Sequence, residues 1–268
     1  MEDIRKGLHK SKRIVIKVGT STITYGTGMI NFTAIEKLVR VISDLQNQGK
    51  EVVLVTSGAI SVGVDKLKFC DEPMTIPEKQ AIAAVGQCEL MYIYSKFFSE
   101  YNHIVGQILL TRDVVEQVKR RQNVINTFEN LIIKGIIPIV NENDSVSVEE
   151  IKIGDNDTLS AIVARLIDAD LLIVLSDIEG FYDSDPRKKE DAKIIPVIDE
   201  ITPEIEKCAG EKGTKRATGG MKTKLAAAKI VTDANINMII ASGKNPGIIS
   251  DIINGKNIGT LFVAKKEA

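Results

Sequence analysis

Residues 135–158 read GIIPIVNENDSVSVEEIKIGDNDT. The apolar run Gly135 to Val140 leads into Asn141-Glu142-Asn143-Asp144. Ten residues follow, and Asp155-Asn156-Asp157-Thr158 then opens a helix-like run that continues to Ile167. Strand, polar loop, polar turn and helix is the order in which an open α/β sheet carries its chemistry, outside the carboxyl ends of its strands. Carboxamides and carboxylates at this density bind polar groups or metals; they do not build core. Any single Asp here reads more simply as part of a solvated Asx-turn. The block as a whole, held between a buried strand and a helix, reads as a site.

The same alternation runs through the rest of the chain. Before the block, β-branched or apolar runs at Arg13–Val18, Glu51–Thr56 and His103–Leu110 predict strands. Helical periods cover Phe32 to Asn47, Lys79 to Glu100 and residues 114 to 134, with a loop at Glu72 to Glu78 where two prolines fall. After the block come strands at Ala169–Leu175, Met238–Ala241 and Gly259–Val263, a short edge segment at Ile194–Ile198, and helices at Met221–Asn235 and Ile248–Ile253. Alternating strands and helices imply a parallel sheet covered on both faces. No linker, repeat or low-complexity stretch divides the chain. It reads as one domain, 1–268, of two lobes joined near residues 160–170.

Composition narrows the class. The chain has 268 residues, 44% apolar and 26% charged, ordinary for a globular protein with a good core. Its 35 basic and 36 acidic residues leave a net charge of −1, so no basic excess argues for nucleic acid. The patch Lys119-Arg120-Arg121 reads as a solvated face. Cys70, Cys88 and Cys208 form no CxxC and read as free thiols of a reducing cytosol. Met1 to Arg13 lacks the apolar core of a signal peptide, and no run approaches the roughly 20 apolar residues of a membrane span. The expectation is a cytoplasmic protein without membrane or nucleic-acid partners.

Three stretches suit phosphate. Lys17 lies inside an apolar strand just before Gly19-Thr20-Ser21; it is either a snorkelling strand-edge lysine or an ammonium facing an anion. Thr56-Ser57-Gly58-Ala59 leaves a strand in a small-residue turn, which lets backbone N–H groups approach an anion. GTKRATGGMKTK, residues 213–224, opens a helix with free N–H groups and ammonium groups, without the spacing of a P-loop. Lysine in a helix's first turn opposes the dipole, and that misfit points to a bound anion. Ala81-Ile82-Ala83-Ala84-Val85-Gly86-Gln87 puts small residues and a glycine in a long helix. A glycine there costs about 1 kcal/mol against alanine, which points to close packing on another element or a partner subunit.

Taken in order, Lys17-Val18-Gly19-Thr20-Ser21, Thr56-Ser57-Gly58-Ala59, Ala83 to Gln87, Asn141 to Asp144, Gly154 to Asp157 and Thr218-Gly219-Gly220-Met221 resemble the motif set of the amino acid kinase superfamily. The resemblance runs from Ile14 to Phe262 and is strongest to the members that phosphorylate glutamate. It implies a three-layer α/β/α sandwich around a mainly parallel central sheet. It also implies transfer of the ATP γ-phosphate to the side-chain carboxylate of L-glutamate, the first step of proline biosynthesis. Two departures stand out. No C-terminal PUA domain follows the last expected strand, and Asp113 directly follows Arg112 where the family pattern has one more residue before the acid.

By the same resemblance, Lys17 and Lys224 flank the transferring phosphoryl and Asp157 holds both lysines. Ser57, Asp144 and Asn156 bind the substrate, Asp144 suiting the α-ammonium and the amide and hydroxyl suiting carboxylates. Lys17, Ser176, Asp177, Thr218, Gly219, Gly220, Met221, Lys222, Thr223 and Lys224 surround ATP. Glutamate belongs to the lobe of about residues 1–165 and nucleotide to that of about 166–268. No protein metal ligand is implied; Mg²⁺ comes with the ATP phosphates. Family behaviour adds proline as a feedback inhibitor, a homo-oligomer, and a glutamyl phosphate reductase as the possible recipient of the product. The alternatives are a sister kinase acting on acetylglutamate, aspartate, carbamate or UMP, and a catalytically silent sensor on the same fold. A Rossmann dehydrogenase fits less well, because no GxGxxG follows the first strand.

Overall fold

The computed structural model describes residues 2–68, 75–111, 116–146, 156–184, 186, 189, 191–209 and 220–265. Its strands are β1 Arg13–Val18, β2 Glu51–Thr56, β3 Val105–Leu110, β4 Ile137–Glu142, β5 Leu171–Ser176, β6 Val197–Ile198, β7 Asn237–Ser242 and β8 Thr260–Phe262. Its helices are α1 Glu2–Gly7, α2 Thr20–Ile23, α3 Phe32–Asn47, α4 Ala59–Leu67, α5 Ile76–Ser99, α6 Val118–Ile133, α7 Asn156–Leu166, α8 Pro203–Ala209, α9 Met221–Thr232 and α10 Ile248–Ile253. The strands form one sheet in the order β3-β4-β2-β1-β5-β7-β8-β6. Six of them run parallel, β8 is antiparallel to β7, and β6 follows β8 at the edge.

Two apolar layers explain the near-continuous β-branched runs. Side chains alternate across a strand, so Ile14 and Ile16 join one layer with α3, α5 and α10. Val15 joins the other, with Phe128 of α6 and the buried faces of α7 and α9. A sheet covered on both faces leaves no polar side for its strands. The result is the expected three-layer sandwich.

The chain moves from β1 outward through β2 to β3, returns at β4, and then crosses to β5 on the other flank of β1. The crevice outside the carboxyl ends of β1, β2, β4 and β5 lies where this reversal occurs.

Local boundaries differ from the sequence reading in instructive ways. The helix expected from Lys79 starts at Ile76, because Thr75 and Glu78 form a reciprocal capping box and Pro77 fits the first turn. The small residues after Ser57 are a helix rather than a turn: Gly58, at φ 99°, caps α4 in the left-handed region. Strand β4 runs on through Asn141 and Glu142, pairing Leu110 with Glu142. The close packing expected of Gly86 occurs within the chain. A Cβ there would stand 1.8 Å from the Ala59 carbonyl oxygen, so α5 lies directly on the backbone of α4. The short helices α1, α2 and α8 had no signal in the periodicity.

The amino end of the sheet is tied by ions and one buried guanidinium. Arg13 donates to Glu51 at 2.7 Å, to Glu129 at 2.7 Å and to the Ile167 carbonyl at 2.5 Å, while Lys12 reaches Glu51 at 3.1 Å. Arg5 of α1 is buried and donates to the carbonyls of Pro196, Ile258, Gly259 and Lys256 at 2.7, 2.9, 3.0 and 3.3 Å. Among the described residues, no helix is long and apolar enough to cross a membrane. Lys119, Arg120 and Arg121 are exposed, as a solvated patch should be.

Candidate active site

Lys17 is the fifth residue of β1, a central strand between β2 and β5. It therefore has no sheet edge along which to snorkel. The period of two sends it to the face of Val15, where α7 and α9 lie. Only 7% of it is exposed. Its ammonium meets Asp157 Oδ1 at 2.6 Å. Lys224, on the first turn of α9 and 4% exposed, donates to Asp157 Oδ2 at 2.9 Å. Asp157 is fully buried in the first turn of α7, where the helix dipole favours an anion. Burial pushes its carboxyl upward, but the two ammonium groups and their hydrogen bonds outweigh burial and hold its pKa below the ordinary value. Thr223 ties the start of α9 to the same point, donating to the Gly220 carbonyl at 2.7 Å and standing 3.2 Å from Asp157 Oδ2.

Within the trio, two ammonium groups share one buried carboxylate, one on each oxygen. Two ammonium groups fixed on one carboxylate suit an anion arriving from the crevice. Gly220 caps α9 with no side-chain hydrogen bond, which leaves backbone N–H groups of that first turn available to an anion as well.

A second network borders the first. Asn156 precedes Asp157, and its Nδ2 lies 2.7 Å from the Thr56 carbonyl, 2.8 Å from Ser57 Oγ and 2.9 Å from Asn141 Oδ1. Asn141 in turn donates to Gln87 Oε1 at 2.9 Å, and its Oδ1 also accepts the Glu142 backbone N–H. The amide hydrogens that sequence reasoning assigned to carboxylates are thus engaged by protein acceptors. Thr56 Oγ1 is 2.9 Å from the buried Tyr94 hydroxyl and donates to the Ser57 carbonyl at 3.2 Å. Burial raises the Tyr94 phenol, only partly offset by Thr56, so it stays protonated and can donate.

The remaining candidates distribute around these networks. Asp144 is half-buried in the turn two residues past β4. Ser176, buried at the end of β5, donates to Asp177 at 2.9 Å, and its carbonyl accepts from Gly243 N at 2.6 Å. Asp177 and Lys222 are exposed, while Met221 packs partly into the core. Thr218, Gly219, Asp155, Arg112, Asp113 and Cys70 lie outside the described residues. Cys88 and Cys208 are free thiols. Sequence reasoning did not single out Thr56, Gln87 or Tyr94 as site residues. For Gln87 and Tyr94 the available signal was polarity at positions that the helical period of α5 assigns to core.

No group of three or more metal-ligating carboxylate, imidazole or thiol side chains occurs among the described residues. Both Asp157 oxygens are taken by lysines. A divalent cation carried on phosphates fits this donor set better than one caged by the protein.

Comparison with known proteins gives a consistent result. A family model for the amino acid kinase family matches residues 12–242. The glutamate 5-kinase of Clostridium perfringens is 63% identical over 267 residues, 98% of this chain and 99% of that protein. That of Listeria monocytogenes is 60% identical, covering 98% of this chain and 97% of that protein. Among solved structures, the carbamate kinase of Giardia lamblia bound to AMP-PNP superposes with a TM-score of 0.68 at 19% identity. It covers 96% of this chain and all of that one, and shows the shared fold. With identities near 60% along nearly the full length of both partners, the chain belongs to the amino acid kinase family and, within it, to the glutamate 5-kinases.

Proposed function

We propose that this chain transfers the γ-phosphate of ATP to the side-chain carboxylate of L-glutamate, and that Lys17, Asp157 and Lys224 carry the transfer. The observation that supports it most is the pair of buried lysines sharing one buried carboxylate. A glutamate carboxylate is already ionised near neutral pH, so the reaction needs no strong base. Its obstacle is the approach of one anion to another. Two fixed ammonium groups with one compensating carboxylate offset that repulsion and cost no reorganisation as charge shifts. Asp157 acts on geometry: each oxygen holds one lysine, which sets the separation of the two Nζ atoms that flank the phosphoryl.

Glutamate would sit against Ser57, Asp144 and Asn156, on the flank of β2 and β4. ATP would lie over the flank of β5 and β7, against Ser176, Asp177 and the loop of Thr218, Gly219, Gly220, Met221, Lys222 and Thr223. On this reading the parts on either side of residues 160–170 are an acceptor lobe and a nucleotide lobe that share one sheet. Mg²⁺, brought on the phosphates, would supply further charge neutralisation at their oxygens.

The test is ATP turnover with Mg²⁺ and L-glutamate, trapping the acyl phosphate with hydroxylamine. Glutamate-dependent hydroxamate, absent with aspartate or acetylglutamate, is the expected result. Hydroxamate from a different acceptor, or none, would overturn the substrate assignment. Proline as an inhibitor, a homo-oligomer, hand-over to a glutamyl phosphate reductase and a cytoplasmic location belong to the same reading. A proline titration of that assay and light scattering test the first two.

A further inference from the structure

Helix α5 reaches the acceptor side of the site at two points one above the other. Gln87 and Tyr94 are seven residues apart, which is two turns and the same face. Gln87 Oε1 accepts from Asn141 Nδ2, so the Asn141 amide has its oxygen toward Asn156. The Tyr94 phenol meets Thr56 Oγ1, which donates to the Ser57 carbonyl; Thr56 and Ser57 supply the other two acceptors around Asn156 Nδ2. The Thr56 carbonyl can only accept, so the Asn156 atom facing it is the nitrogen. With that edge of the amide turned inward, its carbonyl oxygen is the edge that remains. Among the described residues no donor reaches it.

An amide carbonyl accepts hydrogen bonds and cannot bind a carboxylate; its natural partner on an amino acid is the α-ammonium. We propose that Gln87 and Tyr94 are positioning residues that orient Asn156 so that its carbonyl receives the α-ammonium of the acceptor substrate. This inference rests on the glutamate reading above. Stability alone accounts poorly for Gln87. It is only 9% exposed, and among the described residues its Nε2 has no hydrogen-bond partner, so the side chain leaves a polar atom unsatisfied in order to fix Asn141. The backbone contact of Gly86 with Ala59 holds α5 at this depth.

The experiment compares Gln87→Met, Tyr94→Phe, Thr56→Val and Thr56→Ser with the unaltered enzyme. Kinetics are followed by hydroxamate formation, and glutarate, which has both carboxylates and no ammonium, serves as competitive inhibitor. The first three variants should raise the glutamate KM about fivefold, the equivalent of one hydrogen bond. The ATP KM and the glutarate Ki should stay within about twofold by the same scale. Thr56→Ser keeps the hydroxyl relay and should behave as the unaltered enzyme. Equal weakening of glutamate and glutarate, or a fall in kcat at constant glutamate KM, would overturn the proposal. If glutarate inhibits no protein, the division between KM and kcat decides. Unaltered enzyme that makes no hydroxamate from glutamate would instead remove the function on which the proposal stands.

Discussion

Strand β1 carries a cation near each end, and the two ends differ in burial and in how their charges are shared. At the start, Arg13 stands between Glu51 and Glu129, Lys12 supports Glu51, and the Asp170 carboxylate accepts from the backbone N–H groups of Lys12 and Arg13. Four residues on, Lys17 shares Asp157 with Lys224, one ammonium group on each carboxylate oxygen. The first cluster is partly exposed and lies at the amino end of the sheet, as a structural tie should. The second is almost wholly buried and lies at the carboxyl end, where the crevice opens. A strand therefore separates structural from chemical work by the burial of the ions at its ends, within about 14 Å at 3.3 to 3.4 Å per residue.

The sharpest test of the comparison removes a cation from each end. Lys224→Ala should lower kcat about a thousandfold with a much smaller change in glutamate KM, the scale of losing one preorganised charge partner in a closed site. Arg13→Met should leave kcat unchanged when assayed below its melting point. A Lys224→Ala enzyme with normal turnover would erase the distinction.

Removing the anions should separate the two ends in stability as well. Asp157→Asn removes the carboxylate that two buried ammonium groups share and should cost about 3–5 kcal/mol in urea unfolding. Glu51→Gln, on the partly exposed tie, should cost about 1 kcal/mol or less. Equal losses would mean that burial does not separate the clusters.

A smaller effect refines the picture through pH. Burial pushes the Glu51 carboxyl up, but Arg13 and Lys12 outweigh it and leave its pKa below the ordinary 4.5. A carboxyl depressed in the folded state contributes stability that is fully present above its unfolded value and is lost as pH falls through the folded one. The stability gap between the unaltered protein and Glu51→Gln should accordingly be flat above pH 4.5 and shrink below it. For Asp157 the same limb begins at 3.8. A gap that widened on acidification would contradict these directions.

Most strands were legible because both sheet faces are covered, so each strand is a near-continuous β-branched run between turn residues. Lys17 stood out for the same reason: a charge inside such a run has to be accounted for. The pairing of Lys17 and Lys224 with Asp157 came from family resemblance, since no local pattern ties residues 140 and 67 positions away from Asp157. Asn141 and Glu142 read as loop because their polarity was judged in a local window. Their continued pairing with β3, and the partners Gln87 and Asn156 from elsewhere in the chain, make them strand. The capping signature Thr75-x-x-Glu78 was present in the sequence but was outweighed by the prolines around it.

The Arg5 contacts also order events in time. Its four acceptor carbonyls lie 191 to 254 residues further along the chain. As the polypeptide leaves the ribosome, this guanidinium emerges first and its acceptors among the last. Strand β1 faces the same delay on one flank, because Ile14 pairs with Leu171. Helix α1 thus has no berth until residue 259 has been synthesised, and long-range closure of this kind is the slow part of folding. Docking of Arg5 is the step that registers a finished sheet.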